Sequence, residues 1–350
     1  MILFGICLSF LFTISLTPLI NKFGLRHNFI DRKDFRKKKS NLIVRIGGLG
    51  IFSSILISFS ITLLFFYNNI DFFQLNILKL LFFGSTIFFL IGLIDDKVNI
   101  SPFLRLILQA IIVCSIWSFG FGVESFTLFD KSYVIKLPQF LSLLITFLWL
   151  AGVANAINWT DGIDGLATSL AGSSAIFISL ISFHNNQITL VVLSSILASS
   201  CFGFLIFNRN PASIMMGDCG SNFLGFLLGG LCLMASQTNY TVKNNLEIDF
   251  VLPFLILIIP IFDMIRVICI RLMKKRMPFF PDRNHLHYLL LDNGLSNKKT
   301  VTILVMLNII FGIISLCYVG LEINLVLTGL ILSLILFCIP LKILNKSTKS

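Results

Sequence analysis

Runs of about twenty apolar residues recur along the whole 350-residue chain, and this repetition constrains the fold more than any other feature. A run of about 20 mostly apolar residues is long enough to cross a bilayer as a helix. The chain is 56% hydrophobic and only 12% charged, whereas soluble domains carry about 25% charged residues. The sequence therefore predicts an all-α, polytopic integral membrane protein and excludes a soluble globular domain.

The apolar runs predict about eleven transmembrane helices in a single membrane domain covering residues 1–350. We expect them at 2–21, 46–67, 77–94, 104–121, 139–157, 165–183, 187–207, 213–236, 249–270, 300–319 and 323–341. The eighth is the least apolar, because Asp218, Ser221 and Asn222 lie in its first turns. The polar segments that carry the candidate site lie at 22–45, 95–103, 155–165, 208–221 and 271–299.

Basic residues divide unequally between the two sides of this arrangement. Of the 27 lysines and arginines, 22 fall on the side of the polar segments and four on the other. Because basic loops stay in the cytoplasm, we expect an external N-terminus and a cytoplasmic site. The net charge of +11 favours contact with anionic membrane lipids, and also an anionic substrate. Nucleic acid is not an expected partner, since no soluble module is present to bind it.

Two adjacent carboxylates, Asp95 and Asp96, end the third predicted span. Neighbouring helical residues point about 100° apart, so both can face one point only if the helix ends there. Acids are disfavoured at a helix C-terminus, which is already partially negative. The pair therefore indicates a cation or a cationic side chain nearby, although a solvated loop pair is an open alternative.

The stretch 155–166 interrupts two apolar runs with polar residues at intervals of three: Asn155, Asn158, Asp161 and Asp164. On a straight helix these would fan over about 180°. Gly162 and Gly165 permit a break that lets them converge. Amide and carboxylate oxygens suit Mg²⁺, which takes one or two carboxylates plus substrate phosphates. A polar reverse turn is the alternative, but a turn does not require two asparagines on the preceding helix.

Two further segments carry chemistry. Asp218 lies between Gly217 and Gly220 at a predicted helix start, where backbone N–H groups suit phosphate; an N-capping role is the alternative. His285 and His287 alternate in a basic loop and would face one side of an extended segment. No third soft ligand is near them, so phosphate or uridine contact is favoured over zinc.

These motifs, in this order, resemble those of the polyprenyl-phosphate N-acetylhexosamine-1-phosphate transferases, and the WecA/TagO branch more than MraY. The matching segments are 45–48, 92–96, 155–166, 208–221, 260–263 and 281–287. Cys219 stands where the family usually has threonine, and Tyr288 where the branch usually has a further histidine. The likeness implies a polytopic enzyme of the bacterial inner membrane with its active site facing the cytoplasm.

The resemblance also implies a reaction: a UDP-N-acetylhexosamine, with UDP-GlcNAc expected, and undecaprenyl phosphate give a lipid-diphospho-sugar and UMP. It implies Mg²⁺, with Mn²⁺ as an alternative, at Asn158 and Asp218. Catalytic roles are implied for Asp95, Asp96, Asp161 and Asp164. Substrate-binding roles are implied for Asn155, Arg209, Asp263, Arg283, His285 and His287. A homodimer is compatible with the sequence.

Two alternative functions stay open at this stage. One is transfer of phospho-MurNAc-pentapeptide in peptidoglycan synthesis. The other is an ion-coupled transporter, which would require inverted repeats and acids near the bilayer midplane.

Overall fold

A computed structural model describes residues 1–30, 43–66, 72–128, 130–237, 246–279 and 282–320. In these ranges the chain forms twelve helices and three short strands. The helices are α1 (Ile2–Arg26), α2 (Gly48–Phe65), α3 (Phe72–Val98), α4 (Pro102–Ser118), α5 (Gln139–Thr160), α6 (Leu166–His184), α7 (Ile188–Asn208), α8 (Gly217–Ala235), α9 (Val251–Ile256), α10 (Ile258–Met273), α11 (Leu286–Asp292) and α12 (Asn297–Gly320).

Eight of the described helices are long and apolar enough to cross a membrane: α1, α2, α3, α5, α6, α7, α8 and α12. They confirm the predicted polytopic helical membrane protein. The fourth predicted span corresponds to the shorter apolar helix α4, which begins at the N-cap Ser101 with Pro102 in its first turn. The eleventh, at 323–341, lies outside the described residues, so the count of eleven is not confirmed.

The ninth predicted span, 249–270, is not one continuous helix. It is divided at Leu257 into α9 and α10. The break has a local cause, since Pro260 has no N–H to donate to the carbonyl of Ile256, four residues earlier. The Ser174 hydroxyl on α6 donates to that carbonyl instead, at 3.0 Å. A side chain thus satisfies the backbone group that proline leaves open inside an apolar environment.

Helix α8, the least apolar predicted span, lies at the centre of the bundle and is almost entirely buried. Its low hydropathy follows from this position, since it faces neighbouring helices more than lipid. Glycines allow the close contact: a Cβ on Gly220 would lie 2.6 Å from Gly48 Cα on α2, and one on Gly225 would lie 2.6 Å from Ala154 Cα on α5. Small residues of this kind let helix backbones approach closely in membranes.

A three-stranded sheet was not predicted from the apolar runs. Strands β1 (Val123–Leu128) and β2 (Asp130–Lys136) pair antiparallel, and β3 (Leu246–Asp249) adds parallel to β1. The sheet follows the C-terminus of α4, at the end of the bundle opposite the Asp95–Asp96 pair. The polar motifs therefore occupy one end of the bundle and the sheet occupies the other.

Candidate active site

The start of α8 is attached to the segment that precedes α2. Val44 forms a parallel bridge with Ile214, and the backbone N–H groups of Gly47 and Gly48 donate to the carbonyls of Met215 and Met216 at 2.9 and 2.8 Å. Gly217 has a φ of +78°, a conformation that L-residues with a Cβ rarely adopt. These bonds hold Arg45 directly beside the first turn of α8.

The carboxylate of Asp96 caps the start of α8. It accepts hydrogen bonds from the backbone N–H groups of Asp218 and Cys219, both at 2.9 Å. A negative charge is favourable there because a helix N-terminus carries partial positive charge. The side chain of Asp96 is only 1% exposed. The sequence left phosphate binding at these N–H groups as one of two possibilities; in the structure they donate to Asp96.

Asp95 faces a different neighbour from Asp96. Its carboxylate accepts from Arg105 Nη1 and from the backbone N–H of Ile100, both at 2.9 Å. Because α3 continues to Val98, the prediction that the helix ends at the pair is wrong, and the two side chains diverge as helical geometry requires. The predicted cationic partner is present: Arg105 pairs with Asp95, and Arg45 Nε lies 3.4 Å from Asp96 Oδ1.

Asn158 and Asp218, the predicted metal ligands, are in direct contact. Asn158 Nδ2 donates to Asp218 Oδ1 and to Ser221 Oγ, both at 2.8 Å. Arg45 Nη2 donates to the same Asp218 oxygen at 3.2 Å. The Asp218 side chain is 18% exposed, so it is more accessible than Asp96.

This pair fits a partial Mg²⁺ site. A carboxylate and an amide are hard oxygen ligands, and Mg²⁺ normally completes its shell with water and substrate phosphate. Both side-chain hydrogen bonds of Asn158 to described residues use the amide nitrogen, so the amide oxygen is the ligand atom it can offer. Among the described residues no group of three or more His, Cys, Asp or Glu side chains could hold a metal ion.

Asn155 lies deeper than Asn158 and belongs to a buried chain of amides. Asn155 Nδ2 donates to Gln109 Oε1 on α4 at 2.8 Å, and Gln109 Nε2 donates to Asn222 Oδ1 on α8 at 3.4 Å. Asn222 in turn donates to the backbone carbonyl of Asp218 at 2.8 Å. The chain connects α4, α5 and α8 immediately beneath Asp218. Asn155 was predicted to bind substrate, but in this structure its amide nitrogen donates to Gln109 and to the backbone carbonyl of Ala151.

The predicted helix break in 155–166 is confirmed, but its four polar residues do not share one point. Helix α5 ends at Thr160 with Asp161 as its C-cap, and α6 begins after Gly165, whose φ is +79°. Asp164 Oδ2 accepts from Asn210 Nδ2 at 2.8 Å and from the backbone N–H of Ala212 at 3.2 Å. It thereby fixes the segment between α7 and α8.

A cavity of about 590 Å³ opens beside Asp164. Arg209, at the end of α7, and Lys298, at the start of α12, contribute positive charge to its lining. Ser169, Asn210 and Thr302 add polar groups. The predicted substrate residue Arg209 thus lines a cavity at the same end of the bundle as Asp218.

Asp263 organises the histidine segment. Its carboxylate lies 2.9 Å from His285 Nδ1, and it accepts from Arg266 Nη2 and the backbone N–H of Leu286, each at 2.9 Å. His285, the N-cap of α11, has an extended backbone, but His287 lies in the first turn of the helix, so the segment is not extended throughout. The two histidines still face one way: their rings stack with centroids 5.5 Å apart and an interplanar angle of 14°.

A buried arginine that was counted only as a loop charge holds this loop in place. Arg271 is 3% exposed and forms two bonds to Asp282, at 3.0 and 3.1 Å. Its guanidinium also lies over the Trp159 ring, 4.9 Å from the centroid. Burial would raise the pKa of Asp282, but hydrogen bonds from Arg271 and Asn284 outweigh it and lower that pKa.

His287 and Arg283 occupy contrasting surroundings. His287 is buried, and its Nε2 has no hydrogen-bond partner among the described residues. A Cβ on Gly162 would lie 2.3 Å from that nitrogen. Burial lowers the pKa of His287 to about 3, so the ring is neutral near pH 7. Arg283 pairs with Asp292 at 2.6 Å and lies over the Tyr288 ring.

The structure adds contacts that sequence reasoning missed. Sequence analysis placed Arg45 in a matching motif and counted Arg105 only as a topology charge, but neither was paired with the predicted site carboxylate that it contacts. A lone arginine in the first turn of an apolar helix, such as Arg105, could have been identified as a partner for a nearby acid. Gln109 could have been singled out similarly, as a polar residue inside an apolar run.

Comparison with known proteins found a matching family model and several similar proteins. The family model described as glycosyl transferase family 4 matches residues 77–236, which include Asp95, Asp96, Asn158 and Asp218. A Bacillus subtilis protein named probable undecaprenyl-phosphate N-acetylglucosaminyl 1-phosphate transferase is 28% identical over 87% of this chain and 81% of its own length.

Enterobacterial relatives show the same likeness. Proteins from Yersinia pestis and Escherichia coli, both named undecaprenyl-phosphate alpha-N-acetylglucosaminyl 1-phosphate transferase, are 26% and 27% identical. Each match covers 84% of this chain and 78% of the relative. Together with the ordered motifs, these matches confirm the resemblance: the chain is similar to glycosyl transferase family 4 proteins.

Proposed function

We propose that this protein transfers N-acetylhexosamine 1-phosphate from a UDP-sugar, with UDP-GlcNAc the expected donor, to undecaprenyl phosphate. The products are the lipid-diphospho-sugar and UMP, and the reaction would initiate a cell-envelope polysaccharide. The observation that carries the proposal is the cluster of Asp95, Asp96, Asn158 and Asp218 at one end of the bundle, inside the segment that matches the family model. The relatives' names support the same reaction class.

The chemistry requires positioning and charge neutralisation more than covalent catalysis. An oxygen of the lipid phosphate attacks the β-phosphorus of the UDP-sugar, and the bond from that phosphorus to the bridging oxygen of UMP breaks. Asn158 and Asp218 would hold Mg²⁺, which would neutralise the diphosphate charge. Arg209 and Lys298 in the neighbouring cavity would attract the anionic nucleotide.

The proposal includes the orientation of the site in the membrane. In the topology expected from the sequence, the polar motifs fall on the side that carries 22 of the 27 basic residues, which favours a cytoplasmic site and a bacterial inner-membrane location. A nucleotide substrate would be supplied from that side, while the lipid phosphate would arrive from the bilayer. Grouping of the acids at one end argues against a transporter with a midplane site.

A substrate panel with matched variants tests the proposal. Purified protein receives undecaprenyl phosphate, Mg²⁺ and either UDP-GlcNAc or UDP-MurNAc-pentapeptide, and lipid-linked product is measured. We expect product from UDP-GlcNAc, a loss of at least about 1,000-fold in Asp218→Asn, and unchanged turnover in Glu124→Gln, an acid on β1 at the opposite end. Product from the pentapeptide substrate alone would support peptidoglycan synthesis instead, and no product from any UDP-sugar would refute the proposal.

A further inference from the structure

Arg45 is held beside the candidate metal site by its backbone. Its N–H donates to the carbonyl of Phe29 at 3.0 Å, and its neighbours Val44 and Ile46 are almost completely buried. A Cβ on Gly217 would lie 1.9 Å from the Arg45 carbonyl oxygen. These contacts fix the base of the side chain, which is 36% exposed as a whole.

The guanidinium of Arg45 spans two carboxylates of the cluster. Nε lies 3.4 Å from Asp96 Oδ1 and Nη2 lies 3.2 Å from Asp218 Oδ1. Arg105, which pairs with Asp95, is 13% exposed. Of these two arginines, Arg45 is therefore the one that contacts Asp218, and its side chain is also the more exposed to solvent.

From these positions, Arg45 and a metal ion would compete for Asp218. The oxygen that Arg45 contacts is a carboxylate oxygen of the proposed metal site, and a divalent cation there would repel a guanidinium a few ångströms away. Asp96, which Arg45 also contacts, is already bonded to two backbone N–H groups. A released guanidinium at this distance could donate two parallel hydrogen bonds to a phosphate brought to the site.

We propose that Arg45 exchanges partners during the reaction cycle. It balances the charge of Asp218 while no metal is bound, and it transfers its hydrogen bonds to a phosphate oxygen of the substrate once a divalent cation occupies Asp218 and Asn158. This inference rests on the proposed function for the phosphate step, whereas the competition with a metal requires no substrate. Arg45 would thus act twice, first as a substitute for the metal's charge and then as a phosphate ligand.

The test measures metal affinity and turnover separately. Mn²⁺ binding to the purified protein without substrate is followed by electron paramagnetic resonance, and transfer is followed with UDP-GlcNAc and undecaprenyl phosphate. In Arg45→Gln we expect Mn²⁺ to bind about 5- to 10-fold more tightly, because a nearby unit charge is removed. We expect kcat to fall by about 100- to 1,000-fold, because a donor to the reacting phosphate is lost.

Two further variants provide controls. Arg45→Lys keeps the charge, so its Mn²⁺ affinity should stay within about 2-fold of wild type, and its kcat should fall only about 10-fold because one donor remains. Lys274→Gln removes an exposed charge at the end of α10 and should change neither quantity. Opposite changes in affinity and turnover are the signature of exchange, since a merely structural role for Arg45 would weaken both.

Three results would overturn the inference or part of it. Weaker or unchanged Mn²⁺ binding in Arg45→Gln, in protein that unfolds at the wild-type temperature, would exclude the competition. Normal kcat in that variant would exclude the phosphate contact. If the wild-type protein transfers no sugar phosphate but Arg45→Gln still binds Mn²⁺ more tightly, the phosphate step fails with the proposed function and the competition stands.

Discussion

Replacing Gly92 with alanine should disrupt the candidate site without changing any polar residue. Gly92 lies on α3 one turn before Asp96, and a Cβ there would lie 2.3 Å from the carbonyl oxygen of Asp218 and 2.6 Å from Cys219 Cα. Ordinary carbon contacts are about 3.4 Å or longer, so α3 and α8 would have to separate by about 1 Å. The 2.9 Å bonds from α8 to Asp96 would then exceed hydrogen-bonding distance.

The expected loss in the free energy of unfolding of Gly92→Ala has two contributions. Forcing a methyl group into a packed interface costs about 1–3 kcal/mol, and weakening two hydrogen bonds to a buried carboxylate costs about 1.5–3 kcal/mol each if they are lost. With partial relaxation we expect the free energy of unfolding to fall by about 3–5 kcal/mol. A 1 Å displacement of Asp218 should also lower kcat by about 100-fold.

Gly152→Ala provides the matched control. Within the described part of the chain, a Cβ at Gly152, on α5, would meet only Met264 Cε, at an ordinary 3.8 Å, so alanine should stabilise the helix by up to about 1 kcal/mol. Unfolding in mixed detergent micelles, followed by tryptophan fluorescence, and transfer assays compare the two variants. If Gly92→Ala is as stable and active as Gly152→Ala, the close packing of α3 on α8 does not hold these carboxylates in place.

Two further predictions concern buried polar groups. Gln109→Leu should lower the free energy of unfolding by about 1–2 kcal/mol, because Asn155 and Asn222 each lose a partner; unchanged unfolding in detergent would show that the amide chain contributes nothing. Because burial holds the folded-state pKa of His287 at about 3, below its unfolded value, the unfolded state binds the proton first as the pH falls. Stability should therefore be complete above about pH 6.5 and decrease by about 2 kcal/mol at pH 5. His287→Phe should flatten that decrease, and an equally steep pH dependence in this variant would refute the assignment.

Hydropathy was sufficient to predict the class of fold and most of its helices, because a bilayer demands long apolar segments. It could not show that the ninth span is divided at Leu257. There the run is uniformly apolar, and the break depends on Pro260 together with the hydroxyl of Ser174 from a distant helix. The small sheet was missed for a related reason, since β3 reaches β1 from more than a hundred residues away.

Residue type and spacing were sufficient to predict which polar residues gather at one end, but not what each contacts. The contact of Asn158 with Asp218 was expected and is present. The hydrogen bonds from the α8 backbone to Asp96, and from Asn155 to Gln109, depend on how α3, α4 and α5 pack around α8. Such pairings join residues 46 to 122 positions apart, a separation across which local sequence patterns carry no information.

Positional labelling of the donor tests the central claim most directly. With ³²P at the β-phosphorus of UDP-GlcNAc, transfer of the sugar 1-phosphate moves the label into the undecaprenyl product and releases unlabelled UMP. Transfer of the sugar alone would leave the label in released UDP. We predict lipid-borne label and UMP in equal amounts from the wild-type protein, and neither from Asp218→Asn. Labelled UDP, or no release from any UDP-sugar, would contradict the proposed reaction.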